Sequence, residues 1–336
     1  MIEVLSIPKI LTSCKNENAP YLVCTFYKYV QIEKPEAWIE SHATYCENLG
    51  VKARVLFSRE GINGTVTGPK GLCERYMADL KSYLIFHDII FKVEPSEEVA
   101  LQKVVVKVKS EIVNSGQMVT YQPNFEHKKG RHLPPEQFKD MMRSEDAIVV
   151  DVRSDYEYNV GRFKNAITLD IENFREMKER LKKLAEHKNK KILTYCTGGI
   201  KCEKASAFLK SEGFEDVYQL EGGIINYAKE AGGEDFEGKC YVFDDRFTVD
   251  VNQVNPSLIS RCMHCATPSA RYINCANETC NDRIIVCESC GWEMEGCCSD
   301  SCKSSPDKRV YNGEGIYGNE PAKAAQHSGC VGAQPE

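Results

Sequence analysis

Apolar positions between residues 20 and 115 repeat with two periods, one typical of strands and one typical of helices. One predicted helix starts near Pro35 and ends at Gly50, and a second carries Leu72, Tyr76 and Leu80 on one face. The order β-α-β-β-α-β predicts a ferredoxin-like, or split βαβ, domain over residues 1–115. The predicted elements are strands Tyr21–Val30, Val51–Phe57, Ile62–Thr67 and Ile89–Val93, helices Pro35–Leu49 and Gly71–Tyr83, and an added strand, Val104–Val113.

A different rhythm begins after a linker, residues 116–132, which contains the basic cluster His127–His132. From residue 133 to residue 232, apolar strands alternate with helices, which predicts a parallel sheet covered on both faces. The reactive loops of such folds lie at the carboxyl ends of the strands. The predicted strands are Ala147–Val152, Ile192–Tyr195 and Val217–Leu220, and the predicted helices are Leu133–Met142, Glu172–Glu186 and a segment after Glu221.

The remaining chain predicts a third region, residues 233–312. Cys240–Val249 has the pattern of a strand or a hairpin arm, and a cysteine-rich module over residues 262–302 follows it. Residues 313–336 are rich in Gly, Ala, Asn and Gln, which predicts a flexible tail. The expected fold class is therefore a multidomain α/β and α+β protein that ends in a cysteine-rich, zinc-binding module.

The overall composition narrows the class of protein. The chain has 336 residues, of which 42% are hydrophobic and 27% charged, as in water-soluble globular proteins of two or three domains. Its apolar runs are shorter than a membrane span, and Met1–Lys9 lacks the layout of a signal peptide. These features predict a cytoplasmic protein with no membrane partner. A net charge of -6 gives no overall attraction to nucleic acid, so contacts with RNA depend on local patches.

The chain contains 17 cysteines, which in a cytosolic protein indicate metal binding or catalysis rather than disulfides. Nine lie between Cys262 and Cys302, and two, Cys196 and Cys202, flank a single loop. The others are scattered singly, as expected for small buried hydrophobic side chains. The loop and the cluster therefore carry the candidate chemistry.

Cys196 follows the apolar strand Ile192–Tyr195 and precedes a glycine-bearing loop and a helix with Ala205 and Leu209 on its apolar face. This placement directs backbone N–H groups and the positive end of the helix dipole at the sulfur. A thiol in such a position ionises readily, and the thiolate is the reactive form, so we predict that Cys196 is catalytic. The predicted anion cradle, which would also hold a persulfide, consists of Thr197, Gly198, Gly199, Ile200 and Lys201.

The residues of this loop also bear on a phosphatase, a redox and a structural interpretation. A phosphatase would carry an arginine six residues after its cysteine to bind phosphate through two hydrogen bonds, but Cys202 occupies that position and Lys201 precedes it. Cys202 is a second catalytic candidate that resolves an oxidised or persulfidated Cys196, or else it packs under the loop. Asp151 and Arg153 favour a buried structural ion pair over a catalytic one.

The clustered cysteines repeat in short-spaced pairs, which present two sulfurs from one turn to a tetrahedral zinc ion. Eight ligands would serve two structural zinc ions, with Cys297 or Cys298 left over and with sequential or crosswise pairing left open. An iron–sulfur cluster lacks its usual nested spacing, disulfides are disfavoured in the cytosol, and His264 is interpreted as a bystander. The predicted ligands are Cys262, Cys265, Cys275, Cys280, Cys287, Cys290, Cys298 and Cys302.

Two basic segments, His127–His132 and Arg175–Lys191, are candidates for contact with RNA phosphates, although such runs are usually solvated faces. Aromatic side chains that would stack on an unpaired base are not distinguished by the sequence.

Several motifs occur together in an order that resembles the rhodanese homology domain. Domains of this kind carry sulfane sulfur as a persulfide on the cysteine that Cys196 matches. The matching segments are Asp151–Arg153, Tyr156–Tyr158, Gly161–Phe163, Asn165–Ile167, Tyr195–Cys196 and Leu220–Ile224.

Three further segments, Phe57–Thr65, Cys196–Lys204 and Val242–Arg246, resemble the rhodanese-domain tRNA uridine(34) hydroxylases, as does the cysteine-rich region. The resemblance implies an oxidoreductase that hydroxylates wobble uridine 34 of tRNA at C5, with molecular oxygen as co-substrate and an electron donor that is not indicated. It implies the anticodon loop of tRNA, rather than DNA, as the partner. It also adds Arg59 and Asn63 as substrate-binding candidates.

The residues leave the mechanism open. The Cys196 thiolate adds to C6 of uracil and makes C5 electron-rich enough to react with oxygen, or a persulfide or sulfenic acid on Cys196 takes part and Cys202 resolves it. A sulfurtransferase that passes sulfur from Cys196 to an acceptor is the alternative function. A non-catalytic binding module is the third, and the intact Cys196 argues against it.

Overall fold

The computed structural model describes residues 19–116, 129–315 and Tyr317, and the chain divides into two compact units, Met1–Ile259 and Ser260–Glu336. Most of the predicted linker and most of the predicted tail lie outside the described residues, as do His127 and Lys128 of the basic cluster. None of the helices that the described residues form is long and apolar enough to cross a membrane.

The N-terminal domain is a five-stranded sheet with two helices. Its strands are β1 (Tyr21–Tyr29), β2 (Lys52–Ser58), β3 (Gly61–Pro69), β4 (Ile90–Ser96) and β5 (Val104–Val108), and its helices are α1 (Ile39–Leu49) and α2 (Lys70–Ser82). The strand order is β4-β1-β3-β2-β5, and only β2 and β5 are parallel. The predicted ferredoxin-like arrangement is confirmed. Short 3₁₀ turns at Pro35–Trp38 and Leu84–Phe86 complete the domain.

The two faces of this sheet differ because side chains alternate along each strand. One face packs with the helices around a buried core that includes Phe26, Phe57 and Tyr76. On the other face, the register places Thr25 beside Thr65 and Tyr27 beside Asn63. That face is polar, and it is turned toward the site described below.

The second domain is a five-stranded sheet in which every pairing is parallel, as predicted. Its strands are β6 (Arg131–Leu133), β7 (Ala147–Asp151), β9 (Ile167–Thr168), β10 (Lys191–Tyr195) and β11 (Val217–Leu220), and β8 (Gly161–Phe163) lies outside it. The strand order is β6-β11-β10-β7-β9. Its helices are α3 (Pro135–Met142), α4 (Asp155–Tyr158), α5 (Met177–Leu181), α6 (Ile200–Ser211) and α7 (Gly223–Ala231).

Each face of the parallel sheet has its own core. Helices α3 and α7 pack on one face, with Phe138 and Tyr227 buried, and α5 and α6 pack on the other, with Leu181 and Leu209 buried. The parallel sheet covered on both faces, predicted from the alternation of strands and helices, is therefore confirmed.

Two predicted helices of this domain differ from the structure. The first begins at Pro135, because Leu133 belongs to β6. The predicted helix Glu172–Glu186 is a 3₁₀ turn at Phe174–Glu176, then α5, then a second 3₁₀ turn at Lys182–His187. The prediction of one continuous helix was wrong because apolar spacings of three and four residues fit both kinds of turn.

The chain then forms β12 (Phe236–Gly238), which pairs with β8, and a hairpin of β13 (Cys240–Tyr241) and β14 (Thr248–Val249). Cys240–Val249, predicted as a strand or a hairpin arm, thus contains both arms of a hairpin, and its loop is residues 242–247. The second unit contains β15 (Tyr272–Asn274), β16 (Arg283–Ile285), α8 (Glu288–Glu293) and α9 (Asp300–Lys303), with its cysteines in the core.

Helix α6 joins the two domains of the first unit through a buried lysine. Lys204 Nζ donates to Glu60 Oε1 at 2.9 Å, to Glu111 Oε2 at 2.6 Å and to the Val113 carbonyl at 3.0 Å. Both carboxylates come from the N-terminal domain and its C-terminal extension. We call this group the Lys204 clasp.

Candidate active site and metal centres

Cys196 lies where β10 ends and the loop to α6 begins, at the carboxyl edge of the parallel sheet. Gly199, with a φ of +95°, turns the backbone so that its N–H donates to Cys196 Sγ at 3.1 Å. Residues with a Cβ are strained at this φ. The backbone N–H groups of Lys201 and Cys202, in the first turn of α6, also lower the pKa of this thiol. Backbone donors therefore surround it.

A second glycine holds this loop in place from the following turn. Gly223 has a φ of +70°, and a Cβ there would lie 2.5 Å from the Thr197 carbonyl oxygen and 2.6 Å from that of Cys196. The Ile224 N–H donates to the Cys196 carbonyl at 3.0 Å. The turn in the Leu220–Ile224 motif packs against the backbone of the cysteine loop, and only glycine at position 223 allows the two backbones to lie this close.

The surroundings of Cys196 favour its ionised form. Burial by itself raises the pKa of this thiol, but a hydrogen bond from the Cys202 thiol, the charge of Lys201 and the backbone N–H groups outweigh burial and lower the pKa to about 6. Burial and the neighbouring Cys196 raise the pKa of Cys202 well above its ordinary value. At neutral pH, Cys196 is therefore a thiolate and Cys202 a thiol that donates to it. Such a thiolate is a nucleophile.

Lys201 connects the cysteine loop to a buried carboxylate. Its Nζ forms an ion pair with Glu157 Oε2, and burial, which lowers the pKa of Lys201, is outweighed by the charge of Glu157, which raises it. The Ser154 N–H donates to the same Oε2 at 3.1 Å. Glu157 Oε1 is buried and has no hydrogen-bond partner among the described residues. Lys201 therefore remains charged beside Cys196.

Asp151 and Arg153 form a second buried ion pair, as predicted. Arg153 donates to the two carboxylate oxygens of Asp151 at 2.9 and 2.7 Å, and its Nη2 donates to the Gly161 carbonyl at 2.6 Å. The Tyr195 hydroxyl donates to Asp151 at 2.5 Å. Neither charged residue lines the cavity that contains Cys196, so the pair organises the strand end.

Cys196 lines a cavity of about 450 Å³ within the first unit, a size typical of small-molecule and nucleobase sites. One wall is the polar face of the N-terminal sheet, and the opposite wall is the cysteine loop with Glu157. The loop of the β13–β14 hairpin forms a third side. The main lining residues are Thr25, Tyr27, Arg54, Leu56, Asn63, Thr65, Lys92, Tyr156, Glu157, Phe174, Arg175, Cys196, Lys201, Phe243 and Arg246.

Two contacts fix the cysteine loop against that sheet face. Lys92 Nζ donates to the Gly198 carbonyl at 2.5 Å, and the Tyr27 hydroxyl donates to Glu203 Oε1 at 3.2 Å. The N-terminal domain is therefore part of the site rather than an appendage to it.

The second unit holds two groups of four cysteines. In each group the four sulfurs lie within 4.8 Å of one another. Sulfurs of the same group are 3.5 to 3.7 Å apart where they contact. A tetrahedral zinc with Zn–S bonds of about 2.3 Å requires about 3.8 Å, so the donors fit a structural zinc ion. The groups are Cys262, Cys265, Cys287 and Cys290, and Cys275, Cys280, Cys298 and Cys302.

These two groups answer two questions that the sequence spacing left open, namely how the cysteine pairs combine and whether Cys297 or Cys298 belongs to a group. The pairing is crosswise, since the first pair joins the third and the second joins the fourth. Cys298 belongs to the second group, and Cys297 belongs to neither. His264 is also outside both groups, and its Nε2 lies 3.2 Å from the Cys297 carbonyl.

Comparison with known proteins gives three family matches along the chain. They are a UPF0176 acylphosphatase-like domain at residues 21–112, a rhodanese-like domain at residues 134–230 and a rhodanese C-terminal region at residues 237–303. A tRNA uridine(34) hydroxylase of Cytophaga hutchinsonii is 52% identical, and the alignment covers 89% of this chain and 95% of that protein. The chain belongs to the tRNA uridine(34) hydroxylase family.

Other members of the family are also similar over nearly their full length. Proteins of the same name from Bacillus licheniformis and Staphylococcus aureus are 44% and 41% identical, and each alignment covers 89% of this chain. The alignments cover 94% and 95% of those proteins. The resemblance inferred from the motifs is therefore confirmed.

The structure brings most of the predicted site residues together. Thr197, Gly198, Ile200, Lys201 and Asn63 line the cavity with Cys196, and Gly199 contributes its N–H. Cys202 lies beneath the loop, fully buried. Asn63 also donates from Nδ2 to the Ile112 carbonyl at 3.0 Å.

Arg59 is not brought to this site. Its side chain is exposed and outside the cavity lining, and its carbonyl accepts a hydrogen bond from the Ile32 N–H at 3.1 Å. Its neighbour Glu60 belongs instead to the Lys204 clasp.

Three residues of the cavity wall were not singled out by the sequence analysis. Phe243 is 44% exposed at the cavity, although it lies in a segment that carried the family resemblance. Arg175 was included only as one member of a long basic run, and Glu157 only as part of a motif. The available sequence signal for Phe243 was an aromatic residue directly before the acidic pair Asp244 and Asp245.

Proposed function

We propose that this protein hydroxylates C5 of uridine 34 in tRNA and that the Cys196 thiolate is its nucleophile. The family membership supports the reaction. The observation that carries the role of Cys196 is its sulfur, held by backbone N–H groups at the wall of a cavity large enough for a base. The proposal places the protein in the cytoplasm, where tRNA and reduced thiols occur together.

The proposed reaction begins when the Cys196 sulfur forms a bond to C6 of uracil. The electron pair of the C5–C6 double bond moves toward C5 and O4, and C5 then bonds to dioxygen, which becomes a hydroperoxide after protonation. A second thiol reduces the O–O bond, which leaves the C5 hydroxyl and converts that thiol to a sulfenic acid. Loss of the C5 proton and expulsion of the Cys196 thiolate restore the double bond, and the released thiolate then attacks the sulfenic acid to give a disulfide and water. Uridine, dioxygen and two thiols thus give 5-hydroxyuridine, water and one disulfide.

Cys202 is the nearest candidate for that second thiol. Its thiol donates to Cys196, which is the contact that a resolving cysteine needs. Peptide mass spectrometry after a single turnover without added reductant is expected to show a Cys196–Cys202 disulfide. If no turnover occurs until a dithiol is added, and both cysteines then stay reduced, the electrons come from an external donor.

The cavity wall also suggests how the anticodon loop binds. Phe243 is exposed at the wall and its ring is available for stacking on an unpaired base. Arg175 is exposed at the same wall, at the start of the predicted basic segment, and we assign it a phosphate contact.

We further propose that each group of four cysteines holds one zinc ion. With four thiolate ligands and no open position, such ions stabilise the fold of the second unit and take no part in the chemistry.

The direct test is nucleoside mass spectrometry of tRNA from cells that lack the gene and receive either the wild-type or the Cys196→Ala protein. The wild type is expected to restore 5-hydroxyuridine-derived nucleosides and Cys196→Ala is not. Cys46→Ala is a matched control, because it removes a buried thiol of α1 that does not line the cavity. Restoration by Cys196→Ala would exclude the proposed role.

Sulfur transfer is the second candidate because the same cradle would hold a persulfide. A sulfurtransferase would convert thiosulfate and cyanide to thiocyanate without RNA or oxygen. Thiocyanate formation by a protein that leaves tRNA unmodified would favour that function.

A further inference from the structure

Only one oxygen of the Glu157 carboxylate has hydrogen-bond partners among the described residues. Its side chain is fully buried, and Oε2 receives both Lys201 Nζ and the Ser154 N–H. Oε1 has no partner among the described residues. A buried charged oxygen that lacks a donor is unfavourable, so native structures rarely keep one without a use.

The position of this oxygen suggests the use. Glu157 and Lys201 line the same cavity as Cys196, and Lys201 acts electrostatically on both Cys196 and Glu157. The residues that line the cavity thus include an acceptor without a donor, Glu157 Oε1, and a charged donor, Lys201 Nζ, on neighbouring side chains. A ligand that satisfies both must carry an N–H next to a carbonyl oxygen.

We propose that Glu157 and Lys201 bind the imide edge of the target uracil, with Glu157 Oε1 accepting N3–H and Lys201 donating to O4. The inference rests on the proposed function and names the groups that select its base. O4 is conjugated with the C5–C6 double bond, so negative charge collects there when a thiolate adds to C6. A cation at O4 therefore stabilises the state that forms during the reaction as well as the bound base.

The alternative is that Glu157 only caps α4, since Ser154 and Glu157 form a capping box. That box and the ion pair both use Oε2, so neither satisfies the buried Oε1. In the same ring orientation, cytosine would present the lone pair of N3 to Oε1 and would be repelled. The arrangement therefore also accounts for a preference for uridine over cytidine.

The Glu157→Gln substitution tests this because its amide has a defined orientation. Lys201 and the Ser154 N–H both require an oxygen acceptor at the Oε2 position, which leaves the amide NH₂ at the Oε1 position. In the variant, the amide NH₂ faces uracil N3–H, which is also a donor, so no hydrogen bond forms. The same NH₂ can donate to the lone pair of cytosine N3. We expect affinity for an anticodon stem-loop RNA with uridine 34 to fall by about 10- to 100-fold. Affinity for the cytidine 34 RNA is expected to rise relative to it.

Glu111→Gln is the matched control. Glu111 is also a buried glutamate that pairs with a lysine of α6, Lys204, but it does not line this cavity. It is expected to lower stability without changing the ratio of the two RNA affinities. A Glu157→Gln protein that keeps the wild-type ratio, with stability lowered as in Glu111→Gln, would reduce Glu157 to a structural role and overturn the inference.

A second experiment uses the wild-type protein, so its result does not depend on whether a variant folds. An RNA with 3-methyluridine at position 34 cannot donate from N3, so we expect weak binding and no hydroxylation. Binding and hydroxylation equal to those of the uridine RNA would overturn the inference while leaving the proposed function intact. A wild-type protein that hydroxylates neither RNA would instead contradict the proposed function.

Discussion

Cys196 and Cys46 are both buried, yet the pKa values of their thiols shift in opposite directions. Burial and the charge of Glu47 raise the pKa of Cys46 to about 12, whereas the pKa of Cys196 falls to about 6. The difference lies in the backbone N–H groups, the Cys202 thiol and the Lys201 charge around one sulfur and not the other. The ionisation of these two thiols therefore depends on the hydrogen-bond donors and positive charge around each sulfur, and not on solvent exposure.

The reaction of Cys196 with iodoacetamide measures this difference. The alkylation rate is expected to rise with pH through about 6 and to level off near neutral pH, because the thiolate is then fully formed. Lys201→Gln removes a positive charge and is expected to move the rise to higher pH, whereas Lys201→Arg keeps the low value. A wild-type rate that begins to rise only near pH 8.5 would contradict the ionised thiol.

Phe243 carries the second prediction at this scale. Phe243→Ala is expected to weaken binding of an anticodon stem-loop RNA by about 1–3 kcal/mol, measured by fluorescence anisotropy, because one stacked base is lost. Tyr83→Ala is the control, since Tyr83 is a similarly exposed aromatic that does not line the cavity. Equal affinity of the Phe243→Ala and wild-type proteins would remove Phe243 from the RNA site.

The first turn of α6 shows why some of the site was not predictable. Lys201, Cys202, Glu203 and Lys204 are all buried, although a run of this composition usually lies in solvent. Each charge has a partner that is distant in sequence, such as Glu157 for Lys201. Local pattern predicted the strand, the loop and the reactive cysteine, because those depend on neighbouring residues. It did not predict Glu157 or Phe243 as site residues, because their roles depend on which distant elements meet.

The Lys204 clasp yields a prediction on stability. Lys204→Met leaves Glu60 and Glu111 buried without their cation. We therefore expect the free energy of unfolding, measured by urea denaturation, to fall by about 3–5 kcal/mol. Lys182→Met removes an exposed lysine paired with Glu179 and is expected to change it by less than about 0.5 kcal/mol. A Lys204→Met protein as stable as the Lys182→Met protein would show that the clasp does not stabilise the joint.

Adjacent cysteines of the second unit allow a sharp test of the metal centres. Cys298→Ala is expected to reduce the zinc content from two ions to one, because Cys298 belongs to a group of four thiols. Cys297→Ala is expected to keep two, because Cys297 belongs to neither group. Native mass spectrometry counts the ions directly. The opposite pattern would exchange the roles of the two residues, and no zinc in the wild type would exclude zinc at both groups.

At the scale of the molecule, the site is assembled from two domains that the sequence presents as separate. The alternation of apolar residues predicted both sheets, since each follows from local periodicity. The place of the added strand β5 beside β2, the contact of Tyr27 and Lys92 with the cysteine loop, and the crosswise pairing of the zinc ligands were not predictable. They are set by packing between segments far apart in the chain. The N-terminal domain alone or the parallel-sheet domain alone would therefore lack one wall of the cavity.

The central claim is that the Cys196 sulfur bonds to C6 of uridine 34, and trapping that bond tests it most directly. A 5-fluorouridine at position 34 should retain the adduct, because fluorine cannot leave C5 as a proton does. Peptide mass spectrometry is expected to find the RNA adduct on Cys196 in the wild type and none in the Cys196→Ala protein. An adduct on another residue, or full hydroxylation of uridine 34 RNA by Cys196→Ala, would contradict the account.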